Sequence, residues 1–278
     1  MNLQTKSNIS EYISPDKLAK AEKYTRNKID IQPFVAVTLG SGLGNFAERI
    51  ENQQILPVQE IPHYPSPTVE GHDGQLIFGE INSVPVLGIK GRSHYYEGRA
   101  LDEIVFYVEL IHKLGVPYFI LTNAAGGVDP RLTPGDLVLL NGYMNFTQIE
   151  RSFLDSNRNP FSEGLNNLAR NVAKKQNIDL HEGVYCWTTG PSFETIQEVQ
   201  ACRQLGVSVV GMSTVPELQR AAALNMKTLA VSLVTNMAAG ISKTDLSHEE
   251  VQETADRSKQ KYSDFIAGLI GTIQEKKS

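Results

Sequence analysis

The sequence has few cysteines, no surplus of basic residues and no long apolar run. Two cysteines, Cys186 and Cys202, are too few for a zinc cluster or a disulfide framework, and such sparse usage is typical of a reducing cytoplasm. The 31 acidic residues outnumber the 26 basic ones, which argues against a nucleic-acid partner because a phosphate backbone requires a basic surface. The amino terminus lacks the apolar core of a signal peptide, and no apolar run reaches the roughly 18 residues of a membrane span. We therefore expect a cytoplasmic protein without a membrane partner.

Short apolar runs alternate along the chain with amphipathic helical patterns. The helical patterns include LDEIVFYVELIHK, which ends before Gly115, and TIQEVQACRQ, which ends before Gly206. Eight apolar runs have the length and the Val, Ile, Leu or aromatic content of buried strands: FVAVTL, QLIFGEI, VPVLGIK, YFILTNA, DLVLLNGYM, GVYCWTT, VSVVGM and KTLAVSLVTN. Strands that alternate with helices predict an α/β fold with a mixed or parallel sheet.

No linker, charge block or repeat divides the chain, so we expect a single domain over residues 1–278. Residues 1–33 are interpreted as an N-terminal helical extension, in which Ser14 is the N-cap and Pro15 the first helical residue. Near the other end, SHEE is a capping box in which Ser247 and Glu250 open a long terminal helix. Both ends of the chain are therefore expected to contain a helix.

Residues 37–44, VTLGSGLG, place glycines where a strand ends, an arrangement typical of phosphate binding. A dinucleotide fingerprint requires a third glycine where this chain has Asn45, and an acidic residue about twenty positions on. Glu60 has that separation, but it lies in the proline-broken stretch VQEIPHYPSP, which does not resemble the end of a strand. A Walker A loop fails because no Gly-Lys-Ser/Thr follows. The alternative is that Gly-Ser-Gly merely turns a strand into a helix.

Two further polar clusters follow apolar runs and contain groups that bind anions and sugars. In GRSHYYEGR, Arg92 and His94 can donate hydrogen bonds to an anion, while Tyr96 offers a ring and a hydroxyl to a sugar. In TNAAGG, residues 122–127, small side chains let a ligand reach the backbone N–H groups. The alternatives are a solvated turn for the first cluster and a tight turn for the second.

The remaining clusters suit a flat heterocycle and a further contact to an anion. Phe193 and Glu194 in TTGPSFET combine an aromatic face with a carboxylate, or they are a core residue and a helix N-terminal residue. Ser213 in VVGMSTVPE adds a hydroxyl to the anion site. Asn236 in VTNMAAG is a carboxamide at a strand end and therefore requires a hydrogen-bond partner. His248, inside the capping box, is by itself interpreted as a solvent-facing residue at a helix start.

Taken together, eight motifs in this order resemble the purine nucleoside phosphorylases of the trimeric type. They are GSGLG, EGHDG, GRSHYYEG, TNAAGG, GPSFET, VGMSTVPE, TNMAAG and SHEEV. The resemblance extends from about residue 34 to the end of the chain, and an ordered set is far more specific than one motif. It implies a mixed, twisted central sheet flanked by helices, a homotrimer, and phosphorolysis of purine nucleosides to free base and ribose 1-phosphate.

The resemblance also implies roles for individual residues. The expected phosphate-binding residues are Ser41, His72, Arg92, His94, Ala124 through its backbone, and Ser213, with His72 near the phosphate entrance. The expected ribose-binding residues are Tyr96, Met212 and His248, and the expected purine-binding residues are Ala124, Phe193, Glu194 and Asn236. Asn236, Glu194 and His94 are the expected catalytic residues. No metal ion or organic cofactor is implied, since inorganic phosphate is a co-substrate.

Asn236 and the residue after it also bear on the choice of purine. The amide donates to N7 and O6 of hypoxanthine or guanine, whereas adenine requires the acceptor that Asp supplies in the similar methylthioadenosine phosphorylases. We therefore expect inosine and guanosine to be preferred over adenosine. Met237 stands where some members of this family carry Lys, which leaves xanthosine open as a substrate.

The segment after DLVLLNGYMN departs from the family pattern. Family members carry a loop there that lends an aromatic residue to the ribose site of the neighbouring subunit, but this chain reads FTQIERSFLDSNRNPFSEGL. Phe146, Phe153 and Phe161 are present, and Phe153 is the favoured donor. If the altered loop prevents closure, the alternative is a nucleoside-binding protein without activity. Retention of the phosphate donors together with Asn236 favours an enzyme.

Overall fold

The computed structural model describes residues 13–68, 74–147, 149, 159–241 and 248–275. Within these ranges lie nine strands and six α-helices. The strands are β1 Val35–Leu39, β2 Glu51–Pro57, β3 Gln75–Ile81, β4 Val84–Lys90, β5 Tyr118–Gly127, β6 Leu137–Asn145, β7 Leu180–Trp187, β8 Val209–Gly211 and β9 Lys227–Met237. The helices are α1 Pro15–Lys28, α2 Leu101–Lys113, α3 Glu163–Lys175, α4 Ile196–Gln204, α5 Val215–Ala223 and α6 His248–Glu275. Short 3₁₀ turns lie at Gly44–Arg49, Val58–Glu60 and Tyr95–Glu97.

The strands form one mixed sheet in the order β2-β3-β4-β1-β5-β8-β7-β6-β9. β1 pairs in parallel with β4 and β5, and all of its residues are buried, as expected of a strand covered on both faces. The eight strands expected from apolar runs are all present. β2 was not indicated by the sequence because the first half of ENQQILP is polar and exposed. The expected α/β class with a mixed sheet is confirmed.

Five of the strands close into a ring. β5 pairs in parallel with β9, and its last two residues, Gly126 and Gly127, also pair antiparallel with β8. β8 then pairs with β7, β7 with β6, and β6 with β9, which returns to β5. The tight turn considered for TNAAGG is therefore wrong, because β5 remains extended through Gly127. A Cβ at Gly127 would lie 2.7 Å from Met237 Sδ, so a larger residue here would require the flexible Met237 side chain to move.

Helices cover both faces of the sheet and create two apolar clusters. Alternate residues of β5 point to opposite faces, since side chains alternate along a strand. Ile120 belongs to the cluster with α3 and α6, whereas Phe119 and Leu121 belong to the cluster with α1, α2 and α5. Each such fully buried side chain stabilises the fold by about 1.5–3 kcal/mol. The two clusters therefore hold the strand ends of the central sheet in fixed positions.

Both terminal helices begin where the sequence indicated. Ser14 caps α1, its Oγ accepting from the Lys17 backbone N–H at 3.3 Å, and Pro15 is the first helical residue. α1 ends at Lys28, inside the expected extension of residues 1–33, and is held to α2 by a hydrogen bond from Arg26 Nη2 to the Lys113 carbonyl at 2.8 Å. The first part of the expected extension, residues 1–12, lies outside the described residues. The expected capping box also lies outside them, because Ser247 and the Glu250 side chain are not described.

A strand does precede Glu60, contrary to expectation, but its place in the sheet does not suit a dinucleotide. β2 is antiparallel to β3 at one end of the strand order, whereas the parallel neighbours of β1 are β4 and β5. Glu60 lies in the 3₁₀ turn after β2 and accepts a hydrogen bond from the Tyr24 hydroxyl at 3.1 Å. Its carboxylate is therefore bound to α1 rather than placed beside the glycines of residues 40–44. Over the described ranges, none of the helices has the length and apolar character needed to cross a bilayer.

Candidate active site

A cavity of about 250 Å³ opens where the carboxyl ends of several strands meet. Ten of the twelve residues expected from the sequence line it: Ser41, Arg92, His94, Tyr96, Ala124, Phe193, Glu194, Met212, Ser213 and Asn236. His72 lies outside the described residues, and His248 begins α6 but its side chain is not described. The described ranges contain no group of three or more His, Cys, Asp and Glu residues arranged to hold a metal ion.

The loop after β1 reaches this cavity because it lies very close to β5. A Cβ at Gly40 would be 2.6 Å from Asn123 Cα, which is backbone and cannot move aside without shifting the strand. Gly42 has φ +72°, a conformation that side-chain-bearing residues rarely adopt. Ser41 stands between these two glycines and lines the cavity. The alternative, that Gly-Ser-Gly merely turns a strand into a helix, therefore does not account for the close approach to β5 or for the position of Ser41 at the cavity.

Arg92 and Ser213 line the cavity and contact each other. Arg92 is 4% exposed, so the solvated turn considered for this segment is wrong. Its Nη2 donates to Ser213 Oγ at 2.5 Å, and its Nη1 lies 3.2 Å from Glu217 Oε1. Burial alone would lower the pKa of Arg92, but the Glu217 carboxylate opposes this and the pKa is raised. The guanidinium is thus a permanent, desolvated cation that faces the cavity, where it can bind an anion.

Ser213 is aimed by a strained backbone turn. Thr214 has φ +74° and ψ −45°, and the Val215 N–H donates to the Ser213 carbonyl at 2.8 Å, which is a γ-turn of the rare, strained type. Such a conformation costs about 1–3 kcal/mol for a residue with a side chain. Asn123 Nδ2 donates to Thr214 Oγ1 at 3.0 Å and helps to hold the turn. This turn could not be predicted from the sequence, because threonine does not favour positive φ.

His94 is oriented by the carboxylate of Glu97. Glu97 Oε1 accepts from the His94 backbone N–H at 2.5 Å and lies 3.3 Å from His94 Nδ1. Its other oxygen accepts from the Thr68 N–H and hydroxyl at 2.6 and 2.7 Å. Burial would raise the pKa of Glu97, but these hydrogen bonds lower it to about 2. A carboxylate at Nδ1 favours the tautomer protonated there, so neutral His94 can accept at Nε2 from a protonated phosphate oxygen, and a protonated ring can donate to phosphate.

We expect the free energy of unfolding to fall as the pH decreases below about 6.5, the ordinary pKa of histidine. Burial lowers the pKa of His94 despite the opposing hydrogen bond from Glu97. The unfolded chain therefore takes up the histidine proton at a higher pH than the folded chain, so a decrease in pH favours unfolding. Urea denaturation from about pH 8 to about pH 5 measures this dependence. A His94→Gln variant should show a flatter dependence, and an unchanged profile would contradict the prediction.

Asn236, Phe193 and Glu194 also line the cavity. Asn236 is buried, and the partner required for it exists, since Thr235 Oγ1 donates to Asn236 Oδ1 at 3.1 Å. Phe193 is 45% exposed, so it is not a core residue. Glu194 Oε1 accepts from Thr188 Oγ1 at 2.7 Å.

The helix α4 does not use Glu194 as its N-terminal residue. Thr195 is its N-cap, and the Glu198 side chain completes the capping box by accepting from the Thr195 N–H at 2.7 Å. The helix-start alternative for Glu194 is therefore wrong. An aromatic face, a carboxylate and a carboxamide stand around one space that can accommodate a flat heterocycle.

The three aromatic candidates for the altered loop differ in position. Phe161 is 8% exposed and belongs to the apolar core, so it cannot reach another subunit. Phe146 is 37% exposed directly after β6. Phe153, the favoured donor, lies outside the described residues. Among these three, Phe146 is thus the described residue that is accessible.

Sequence reasoning missed several residues around the cavity. Asn123 lines it, while Glu97 and Glu217 support His94 and Arg92 from outside it. Glu97 follows His94 by three residues in the same motif, so its carboxylate was an available signal. Glu217 was harder to identify, because its contact with Arg92 joins residues 125 positions apart in the chain.

Comparison with known families decides what kind of site this is. The family model described as the phosphorylase superfamily matches residues 34–271. The chain belongs to the phosphorylase superfamily. Among curated members, purine nucleoside phosphorylase 1 of Bacillus subtilis is 37% identical, over 93% of this chain and 99% of its own length. Purine nucleoside phosphorylase 1 of Geobacillus stearothermophilus is also 37% identical, over 91% of this chain and 96% of its own.

Solved structures of phosphorylases from the same superfamily are similar along almost the whole chain. Schistosoma mansoni purine nucleoside phosphorylase in complex with inosine has a TM-score of 0.84 and 29% identity, covering 93% of this chain and 96% of its own. Isoform 2 from that organism, in complex with cytosine and ribose-1-phosphate, has a TM-score of 0.84 and 31% identity over the same shares. The expected family, its fold and its enzyme class, the pentosyltransferases, are confirmed.

Proposed function

We propose that the protein catalyses the reversible phosphorolysis of 6-oxopurine ribo- and deoxyribonucleosides, releasing the free base and ribose or deoxyribose 1-phosphate. One observation carries this proposal: the buried cation Arg92 and Ser213 line the same cavity as Asn236 and Glu194. A phosphate bound by the first pair and a purine bound by the second would share this cavity, with the ribose between them. The purine nucleoside phosphorylases similar to this chain support the same reaction.

We propose a role for each expected residue of the cavity. We assign phosphate binding to Ser41, Arg92, His94, the backbone of Ala124, and Ser213, with His72 near the entrance. We assign the ribose to Tyr96, Met212 and His248, and the purine to Ala124, Phe193, Glu194 and Asn236. The Tyr96 ring stacks on His94 with centroids 5.0 Å apart, so the ribose and phosphate subsites would be contiguous.

The proposed mechanism relies on positioning and electrostatics. Breaking the N-glycosidic bond develops positive charge on the ribose and negative charge on the departing purine. Phosphate held by Arg92 and Ser213 offsets the first charge and attacks the anomeric carbon, while Asn236 donates to purine N7 as that atom becomes negative. Glu194 accepts from the purine N1–H. Inorganic phosphate is the co-substrate, and this sequence of steps requires no organic cofactor.

The orientation of the Asn236 amide supports a preference for 6-oxopurines. Because the Thr235 hydroxyl donates to Oδ1, the oxygen of the amide already has a hydrogen-bond partner. Its Nδ2 donates one N–H to the Met237 carbonyl at 3.3 Å, which leaves the second N–H for a ligand. A donor at this position matches N7 and O6 of hypoxanthine or guanine, and it opposes the amino group of adenine. Xanthosine also presents O6 and is included as a substrate to test.

Release of hypoxanthine from inosine, measured with and without phosphate, tests the proposed reaction. We expect release only when phosphate is present. Release in both conditions would indicate a hydrolase, and release in neither would indicate a nucleoside-binding protein. Adenosine at the same concentration tests the purine preference. The comparison of adenosine with inosine is a stringent test, because Schistosoma mansoni purine nucleoside phosphorylase, which is similar to this chain, has been solved in complex with each of them.

The assembly, domain organisation and location of the protein complete the proposal. We propose a homotrimer, a single domain over residues 1–278 with residues 1–33 as a helical extension, and a cytoplasmic location. Small-molecule substrates, rather than nucleic acid or a membrane, are the proposed partners. The acidic balance of the chain supports this choice, with 31 acidic and 26 basic residues.

A further inference from the structure

A buried carboxylate contacts Arg92, one of the residues that line the cavity. Glu217, in the first turn of α5, is 1% exposed and does not line the main cavity. It lies instead against a smaller cavity behind it, together with His94 and Trp187. Its Oε1 lies 3.2 Å from Arg92 Nη1, and the side chains of this ion pair are 1% and 3% exposed. A substrate in the main cavity would therefore touch Arg92 but not Glu217.

Glu217 is held in place from two other elements. The Tyr107 hydroxyl on α2 donates to Glu217 Oε1 at 3.3 Å. The same hydroxyl lies 3.3 Å from Thr38 Oγ1, on β1. The carboxylate is thus fixed relative to the strand that leads into the glycine loop, and not only relative to its own helix.

Stability does not account for this arrangement. A buried ion pair gains little net free energy, because desolvation of both charges opposes their attraction, and apolar replacements are often neutral or stabilising. Glu217 Oε2 also has no hydrogen-bond partner in the part of the chain that the structure describes. An ion pair selected for stability alone would have both oxygens satisfied.

The contacts of Arg92 with Glu217 and Ser213 restrain the Arg92 guanidinium. Nη2 donates to Ser213 Oγ, and Nη1 forms an ion pair with Glu217 at 3.2 Å without the alignment of a hydrogen bond. A planar guanidinium restrained by one hydrogen bond and one fixed charge has a restricted orientation, and so do its remaining donors. Fixed donors matter for catalysis because a displacement of about 1 Å can reduce the rate by about 10²-fold.

We propose that Glu217 is a positioning residue, which orients the Arg92 guanidinium so that bound phosphate faces the anomeric carbon. This inference rests on the proposed phosphorolysis and adds a residue that acts through Arg92 without touching a substrate.

The test uses Glu217→Asp, because this variant keeps the negative charge and shortens the side chain. Any change then reflects geometry rather than a lost charge. We expect kcat/KM for phosphate to fall about 10-fold or more, with the KM for inosine unchanged. The increase in melting temperature that inorganic phosphate produces should also be smaller in the variant than in the wild type. This second measurement does not depend on turnover.

A matched control separates positioning from stability. Glu109 on α2 is also buried and forms an ion pair with Arg220 on α5, with Arg220 Nε donating to Glu109 Oε1 at 2.5 Å. Neither residue lines the main cavity. Glu109→Asp should lower the melting temperature and leave kcat/KM for phosphate as in the wild type.

The outcomes are distinct. A wild-type protein that shows no phosphate-dependent cleavage of inosine refutes the proposed function, whereas an active wild type with a Glu217→Asp variant of equal kcat/KM for phosphate refutes the positioning role. If Glu217→Asp does not fold, Tyr107→Phe decides, because it removes the hydroxyl that holds the carboxylate. A several-fold loss of kcat/KM for phosphate in Tyr107→Phe supports the inference, and no loss overturns it.

Discussion

Replacing Asn236 by alanine is expected to lower the turnover of inosine by about 10²-fold or more, the usual effect of removing one donor that acts in the transition state. The Thr235 hydroxyl fixes Oδ1, so Nδ2 is the donor that alanine removes. Because this bond strengthens only as the purine becomes negative, the loss should appear in kcat more than in KM. Steady-state kinetics at saturating phosphate measures the effect.

Ser232→Ala is a suitable control for this experiment. Ser232 is a buried residue of the same strand, β9, and it does not line the cavity. Its replacement should leave turnover unchanged. Near-normal turnover in Asn236→Ala would refute the proposed role of the amide. Asn236→Asp replaces the donor by an acceptor, so it should raise the rate for adenosine relative to inosine.

Replacing Arg92 by methionine is expected to damage both binding and stability. The variant loses the desolvated cation proposed to bind phosphate, so kcat/KM for phosphate should fall by about 10²-fold or more. It also leaves Glu217 as an uncompensated buried charge, which should lower the free energy of unfolding by about 3–5 kcal/mol. Urea denaturation measures the second effect independently of any substrate.

The double variant Arg92→Met/Glu217→Gln separates these two effects. Replacing Glu217 by glutamine removes the unpaired carboxylate and should restore much of the free energy of unfolding that Arg92→Met loses. Activity should remain low, because the cation is still absent. A double variant as unstable as Arg92→Met would show that the buried carboxylate is not the source of the instability.

The sequence predicted the residues that line the cavity better than the residues that hold them in position. Arg92, Ser213 and Asn236 each directly follow or end an apolar run, and the carboxyl ends of neighbouring strands meet in space, so these residues could be grouped in advance. β2 was missed because ENQQILP has neither apolar continuity nor clean alternation. Its pairing with β3 overrides that weak local pattern.

The residues that orient the site could not be predicted, because their contacts arise only in the folded chain. Glu217 meets Arg92 across 125 positions, and Tyr107 meets Thr38 across 69. The γ-turn at Thr214 could not be predicted from the sequence for a different reason. Glycine would have signalled positive φ, whereas threonine adopts it here because Asn123 and the surrounding core hold it.

The closed ring of β5, β8, β7, β6 and β9 also affects how the protein can associate with itself. Each strand of the ring has a partner on both sides over part of its length, so none of them is an open edge from end to end. In the described part of the sheet, β2 is the strand with one neighbour. It is seven residues long, begins with exposed polar residues and ends at Pro57, features that discourage strand addition, although Ile55 is 51% exposed. Resistance to edge-to-edge aggregation therefore depends on β2, at the end of the strand order opposite the ring.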